Sequence, residues 1–119
     1  MALLRTNLGY PGYLGTSAAS IYTNTSSVSS YVKGVVLHNT STSTVSAAIH
    51  IVQNSSGSVG TAGLSNRVYQ VSLQTLETLL LPFGVDQYPF VMYGTNDTIQ
   101  AVAGSSNSVV GYVIGDKNV

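Results

Sequence analysis

Residues 30–54, SYVKGVVLHNTSTSTVSAAIHIVQN, decide the fold. In the second half Val45, Ala47, Ile49 and Ile51 recur at every other position, with Ser46, Ala48, His50 and Gln53 mostly on the other side. Successive side chains of a strand point to opposite faces, so this spacing predicts a half-buried strand. The first half, Tyr31–His38, behaves differently. Val32, Val35, Val36 and Leu37 make it apolar on both faces. Such a strand is covered on both faces, by its own fold or by a partner chain. Between the two lies NTSTS, Asn39–Ser43, whose side chains hydrogen-bond their own backbone and suit turns.

The rest of the chain reads as more strands of this kind. Ala18–Thr23, Arg67–Leu73, Pro89–Gly94, Thr98–Ala103 and Val109–Ile114 each carry a short apolar or alternating run, the last apolar on both faces. Gln74–Pro82, QTLETLLLP, is a helix-like fragment stopped by its proline, and reads as a strand or a single turn. Phe83–Tyr88 reads as a loop, and Gly94–Asp97 as a turn. The Gly/Ser-rich segment Asn54–Asn66 is expected to be the mobile, protruding connection. Short strands at about 8–12-residue spacing, with no convincing helix, predict an all-β fold: an antiparallel β-sandwich or jelly roll of seven to eight strands. The expected core is Ile21, Val35, Leu37, Val45, Ala47, Ile49, Ile51, Tyr69, Val71, Leu73, Leu80, Phe90, Met92, Ile99 and Ala101. Residues 1–15, MALLRTNLGYPGYLG, have neither periodicity and are read as an extended N-terminal arm preceding a single domain at 16–119. Carrying Leu3, Leu4, Leu8, Tyr10, Tyr13 and Leu14, the arm is too apolar for water. It is expected to pack on its own domain or on a neighbouring subunit.

Composition points the same way. Only 7 % of the 119 residues are charged, against roughly 25 % in an ordinary domain. Four basic residues balance four acidic ones, so no electrostatic footprint marks nucleic acid or an anionic membrane as a partner. Ser and Thr make up about a quarter of the chain. Solubility therefore rests on hydroxyls and amides, and neutral surfaces rich in β-branched residues associate. There is no cysteine, hence no disulfide or thiolate chemistry. No signal-peptide core and no run approaching the ~20 apolar residues of a membrane span is visible. The Asn-x-Ser/Thr triplets at Asn24, Asn39, Asn54 and Asn96 are expected by chance in a chain this rich in hydroxyls.

Catalytic chemistry is not expected, and neither is a cofactor. His38 and His50 stand near the ends of successive strands and would meet only if those strands paired, with no third ligand close in sequence. The carboxylates Glu77, Asp86, Asp97 and Asp116 are scattered, and Asp97 in GTNDT reads as a turn residue. The serines carry no nucleophile motif, and no phosphate loop or dinucleotide fingerprint is present. Eight tyrosines and no tryptophan suit contact surfaces.

The runs SIYTNTSS, SYVKGVVLHNTSTSTVSAAIHIV, RVYQVSLQTLETLLLP and GTNDTIQAVAGSSNSVVGYVIG resemble small structural proteins of tailed bacteriophages over roughly residues 18–115. The shared pattern is an opening x-Y-T strand, here Ile21-Tyr22-Thr23, a V-K-x-x-V-L-x-N-T-S strand and turn, here Val32–Ser41, an alternating apolar strand, here Val45–Val52, and a late G-D-x-I/L-x-A strand, here Asp97–Ala101. This sequence has Asn-Asp where Gly-Asp is usual. The resemblance implies a virion component, most simply a capsid decoration (cement) protein. Such a protein binds the major capsid protein on the outer capsid surface as a homotrimer and braces adjacent capsomers. Tail, neck or fibre-associated proteins are the alternative within that class. A carbohydrate-binding host-attachment module, built on Tyr88, Tyr93 and Asp86, is the alternative outside it. The residues expected at an interface are Leu3, Leu4, Leu8, Tyr10, Tyr13, Leu14, Val32, Val36, Val110 and Tyr112.

Overall fold

The computed structural model describes residues 3–4, 8–25, 28–85 and 88–118. The strands are β1 (Leu3–Leu4), β2 (Gly12–Tyr13), β3 (Ala19–Thr23), β4 (Ser30–Asn39), β5 (Val45–Val52), β6 (Arg67–Leu73), β7 (Thr78–Pro82), β8 (Gly84–Val85), β9 (Tyr88–Met92), β10 (Thr98–Ala103) and β11 (Val109–Asn118). The one helical segment among the described residues is a 3-10 turn at Leu64–Asn66. All the strands pair antiparallel, in two sheets that pack as a sandwich. In sheet A, β11 pairs with β4 from Val109–Asn39 to Lys117–Ser30. The free flank of β11 takes β2 and then β1, and the free flank of β4 takes β7 and then β9, with β8 turned back on β9. Sheet B has the order β3-β10-β5-β6. The all-β two-sheet expectation holds. The described strands number eleven because both flanks of sheet A are laid down in short pieces.

The two strands of the opening stretch do not pair with each other. β4 lies in sheet A and β5 in sheet B, and residues 40–44 carry the chain across. Asn39 makes this crossing rigid. It is fully buried, and its Nδ2 donates to the carbonyls of Ser43 (2.8 Å), Leu73 (3.0 Å) and Gln74 (3.1 Å). Its Oδ1 accepts from the backbone N–H and the hydroxyl of Ser41. Asn24, equally buried, ties the end of β3 to the carbonyls of Val28 and Gly94 and accepts from Ser30 Oγ. Short amides at strand ends thus do the work that caps do for helices: they satisfy backbone groups the sheets leave over.

The core lies between the sheets. From sheet B come Val45, Ala47, Ile49 and Leu73 with Ile99, Ala101 and Ala103, and from sheet A Val32, Val35, Leu37, Val109 and Val113. Burying each large side chain contributes about 1.5–3 kcal/mol. Two residues expected inside are not. Leu80 is 54 % exposed, because Leu79 and Leu81 take the inward positions of β7, and Phe90 sits at the rim. The leucine run TLLLP has no alternation, so its parity is set by pairing with β4, where Leu81 stands opposite Val35.

Of the two seats left open for the N-terminal segment, its own domain is the one occupied. β1 and β2 line β11, and Leu8 and Leu14 join the core. Two glycines of β11 make room. A Cβ on Gly111 would lie 2.9 Å from Leu37 Cδ2 and 3.3 Å from Leu14 Cδ2. One on Gly115 would overlap the Tyr31 carbonyl oxygen and touch Leu8 Cδ1 at 3.0 Å. Gly115→Ala should therefore destabilise the chain by about 2 kcal/mol through overpacking, seen as a lowered midpoint of thermal unfolding. An unchanged midpoint would mean that β11 shifts away from Tyr31 at no cost.

The connection between β5 and β6 contradicts the expectation of a protruding loop. It lies back across the outer face of sheet B. Asn54 donates its backbone N–H (2.8 Å) and Nδ2 (2.9 Å) to Asp97 Oδ1, the Gly57 carbonyl accepts from Asn96 Nδ2 (2.8 Å), and the Gly60 carbonyl accepts from Gln100 Nε2 (3.1 Å). His50 Nδ1 lies against two acceptors, Gly63 O and Asn66 Oδ1, and so carries its proton. A Cβ at Gly60 would come within 2.5 Å of Gln53 O, so glycine permits the close return. The loop covers His50, Val52 and Gln100, which the alternation alone had placed on an outer, wetter face.

Candidate interaction surface

The outer face of sheet A has no such cover. Register assembles it in rows across the strands. Tyr13, Val110, His38 and Thr78 form one row, Tyr112, Val36 and Leu80 the next, Ile114, Gly34 and Pro82 the third, and Asp116, Tyr31 and Val91 the last. Tyr13 is 57 % exposed, Leu80 and Val91 are exposed, and Val36, Val110, Tyr112 and Ile114 are half-buried. Gly34 keeps the centre flat, since a Cβ there would meet Leu81 O at 2.7 Å and Leu80 Cδ1 at 3.2 Å. Among the described residues the charge on this face is one ion pair, Lys33 Nζ to Asp116 Oδ2 at 3.4 Å, with the lysine half-exposed and the aspartate mostly covered. His38 Nδ1 lies 2.7 Å from Thr78 Oγ1.

Four of the residues expected at an interface, Tyr13, Val36, Val110 and Tyr112, share this face. Tyr10 is exposed in the N-terminal segment. Three others belong to the core and are corrected here: Val32, Leu8 and Leu14. Val32 and Val36 are four apart and should share a face. The register slips between Ile114 and Gly115, leaving Lys33 without an opposite residue, and this bulge turns Val32 inward beside Val35. The backbones of Leu3 and Leu4 pair with Asn118 and Lys117, and their side chains lie outside the described residues. Ile114, Tyr31, Leu80 and Val91 also belong to the face. Ile114 was legible from its parity with Tyr112. Leu80 and Val91 needed the register.

The possible chemical centres disperse. His38 is on the outer face of sheet A and His50 under the loop of sheet B, so the two do not meet. Among the described residues no cluster of three or more His, Asp or Glu forms that would hold a metal. Asp97 accepts from Asn54 and from the Gly94 N–H, and Glu77 Oε1 accepts from the Gln74 N–H. Asn24 and Asn39, in two of the four Asn-x-Ser/Thr triplets, are fully buried. Among the described residues no helix is long and apolar enough to cross a membrane. Asp86 and the side chain of Tyr88 lie outside the described residues. Tyr93 is exposed at the mouth of a groove of about 480 Å³ between the end of β5 and β9, lined by Ile51, Asn54, Phe90 and Met92. The chain matches no protein-family model, no curated protein and no solved structure.

Proposed function

We propose that the chain is a non-enzymatic structural protein of a bacteriophage virion, a jelly-roll capsid decoration protein that needs no cofactor. Strand order supports the jelly roll. With β1 and β2 counted as one position and β7 and β9 as another, the sheets run first–eighth–third–sixth and second–seventh–fourth–fifth, the pattern of two nested Greek keys. Jelly rolls serve capsids and lectins alike, so the fold does not choose between them. The open face of sheet A carries the choice. A flat, nearly uncharged apolar surface, opposite a face that a loop partly overlays, suits a molecule that rests on another protein. On this reading the face lies on the major capsid protein at the outer capsid surface, and copies assemble as the homotrimer that the sequence resemblance implies.

Quantitative mass spectrometry of purified particles tests this. A decoration protein is present in hundreds of copies, by the argument that it covers a whole shell. A few copies would move it to the tail, neck or fibre, and absence from particles would overturn the reading. The exposed Tyr93 at the groove favours a second reading, a host-glycan module. A glycan array without a binder removes it.

A further inference from the structure

The second exposed feature is an edge rather than a face. β6 ends sheet B, and among the described residues no strand pairs with its outer side. Such an edge offers unpaired N–H and C=O groups, and folds usually blunt it with charges, prolines, bulges or shortness. The other edges are blunted. β1 and β2 are two residues each, Pro82 and Pro89 interrupt the β7–β9 flank, and β3 is five residues long with a register shift against β10. β6 has seven residues, and its bulge against β5 is confined to the Arg67 end. Val68–Leu73 contains neither charge nor proline.

We infer that β6 pairs antiparallel with β6 of a second copy of this chain, about a twofold axis at Gln70. The sequence around the edge is self-complementary in that register. Tyr69 stands opposite Val71 twice on the inner side. Gln70 faces its own copy on the outer side, and Val68, 46 % exposed, is the residue that the bulge leaves without a partner on β5. Arg67 stands opposite Leu73, so no like charges meet. Leu64 and Leu76, 80 % and 63 % exposed, stand in the turns at the two ends of the strand. What favours a second copy is the content of the pairs, aromatic against β-branched with no charge facing its like. The contact is isologous. It does not rest on the virion reading.

The absence of cysteine makes the register testable on the purified chain. Directly opposite residues have Cα atoms about 4.5–5.5 Å apart, within the span of a disulfide. Gln70→Cys should therefore give a covalent dimer under mild oxidation. Ser72→Cys should not, because the two Ser72 positions would be about 14 Å apart at the rise of a strand. Gln70 is exposed, so Gln70→Lys should leave the fold intact while placing two ammonium groups on the axis. Its solution mass should be half that of the wild type. A wild-type mass of one chain, an unchanged mass for Gln70→Lys, or equal cross-linking at Gln70→Cys and Ser72→Cys would each overturn the pairing. The last of these would leave the edge to a strand of another protein.

Discussion

Replacing Asn39 with alanine should cost the folded chain roughly 3 kcal/mol, a large share of what holds a domain of this size together. The side chain is fully buried and serves five groups at the point where the chain leaves one sheet for the other. Some of those groups have second partners. Ser43 O also accepts from Ser41 Oγ, and Gln74 O from the Glu77 N–H. The loss therefore falls mainly on Leu73 O and the Ser41 N–H, at about 1–3 kcal/mol per buried group left unpaired, with a small cavity added. With a urea dependence of about 1–3 kcal/mol/M, the midpoint should fall by about 1.5 M. Asn39→Asp should not rescue it, because the carboxylate restores the shape but none of the Nδ2–H donors. A shift within ~0.5 kcal/mol, the range of an inconsequential surface change, would show that the crossing is held elsewhere.

A second substitution should have the opposite signature, with little effect on folding and a large one on assembly. Val36→Lys combined with Leu80→Lys alters one row of the open face of sheet A. Leu80 is mostly exposed and Val36 half-buried, and a lysine stem can lie along the sheet with its charge in water. Unfolding should stay near that of the wild type. Binding to particles lacking the protein should fall by about a thousandfold. That corresponds to two central contacts at ~2 kcal/mol each, with ~1.4 kcal/mol per factor of ten. Because the face carries a single, already neutralised ion pair among the described residues, wild-type attachment should change little with added salt. Full attachment of the double variant would place the contact on another surface.

Much of this architecture is written locally. The bounds of β6 and β10 match the runs Arg67–Leu73 and Thr98–Ala103 residue for residue, because each run alternates in polarity and is flanked by turn residues. β5 shows its inward set plainly. What stayed hidden depends on partners distant in sequence. The bulge at Lys33 swaps Val32 from the outer face to the core, and nothing local announces it. The inward choice among Leu79, Leu80 and Leu81 is made by β4. The segment 54–66 has the composition of a flexible linker, yet its Asn54 finds the Asp97 carboxylate, and its Gly57 and Gly60 carbonyls find the amides of Asn96 and Gln100, only once β5 and β10 are side by side. The surface was legible in part for the same reason: Val36, Val110 and Tyr112 reveal a two-faced strand, but only register shows which face stays open.

That folded-back segment has one more consequence. With the middle of one broad side overlaid by hydrogen-bonded backbone and the other side left bare, the molecule has a top and an underside, like a roof tile. Tiles of this kind can meet side by side and lie on a support, but the overlaid side gives the next course less to grip. If the protein coats a shell as proposed, a second layer would find less apolar surface on the overlaid side than the first layer has beneath it.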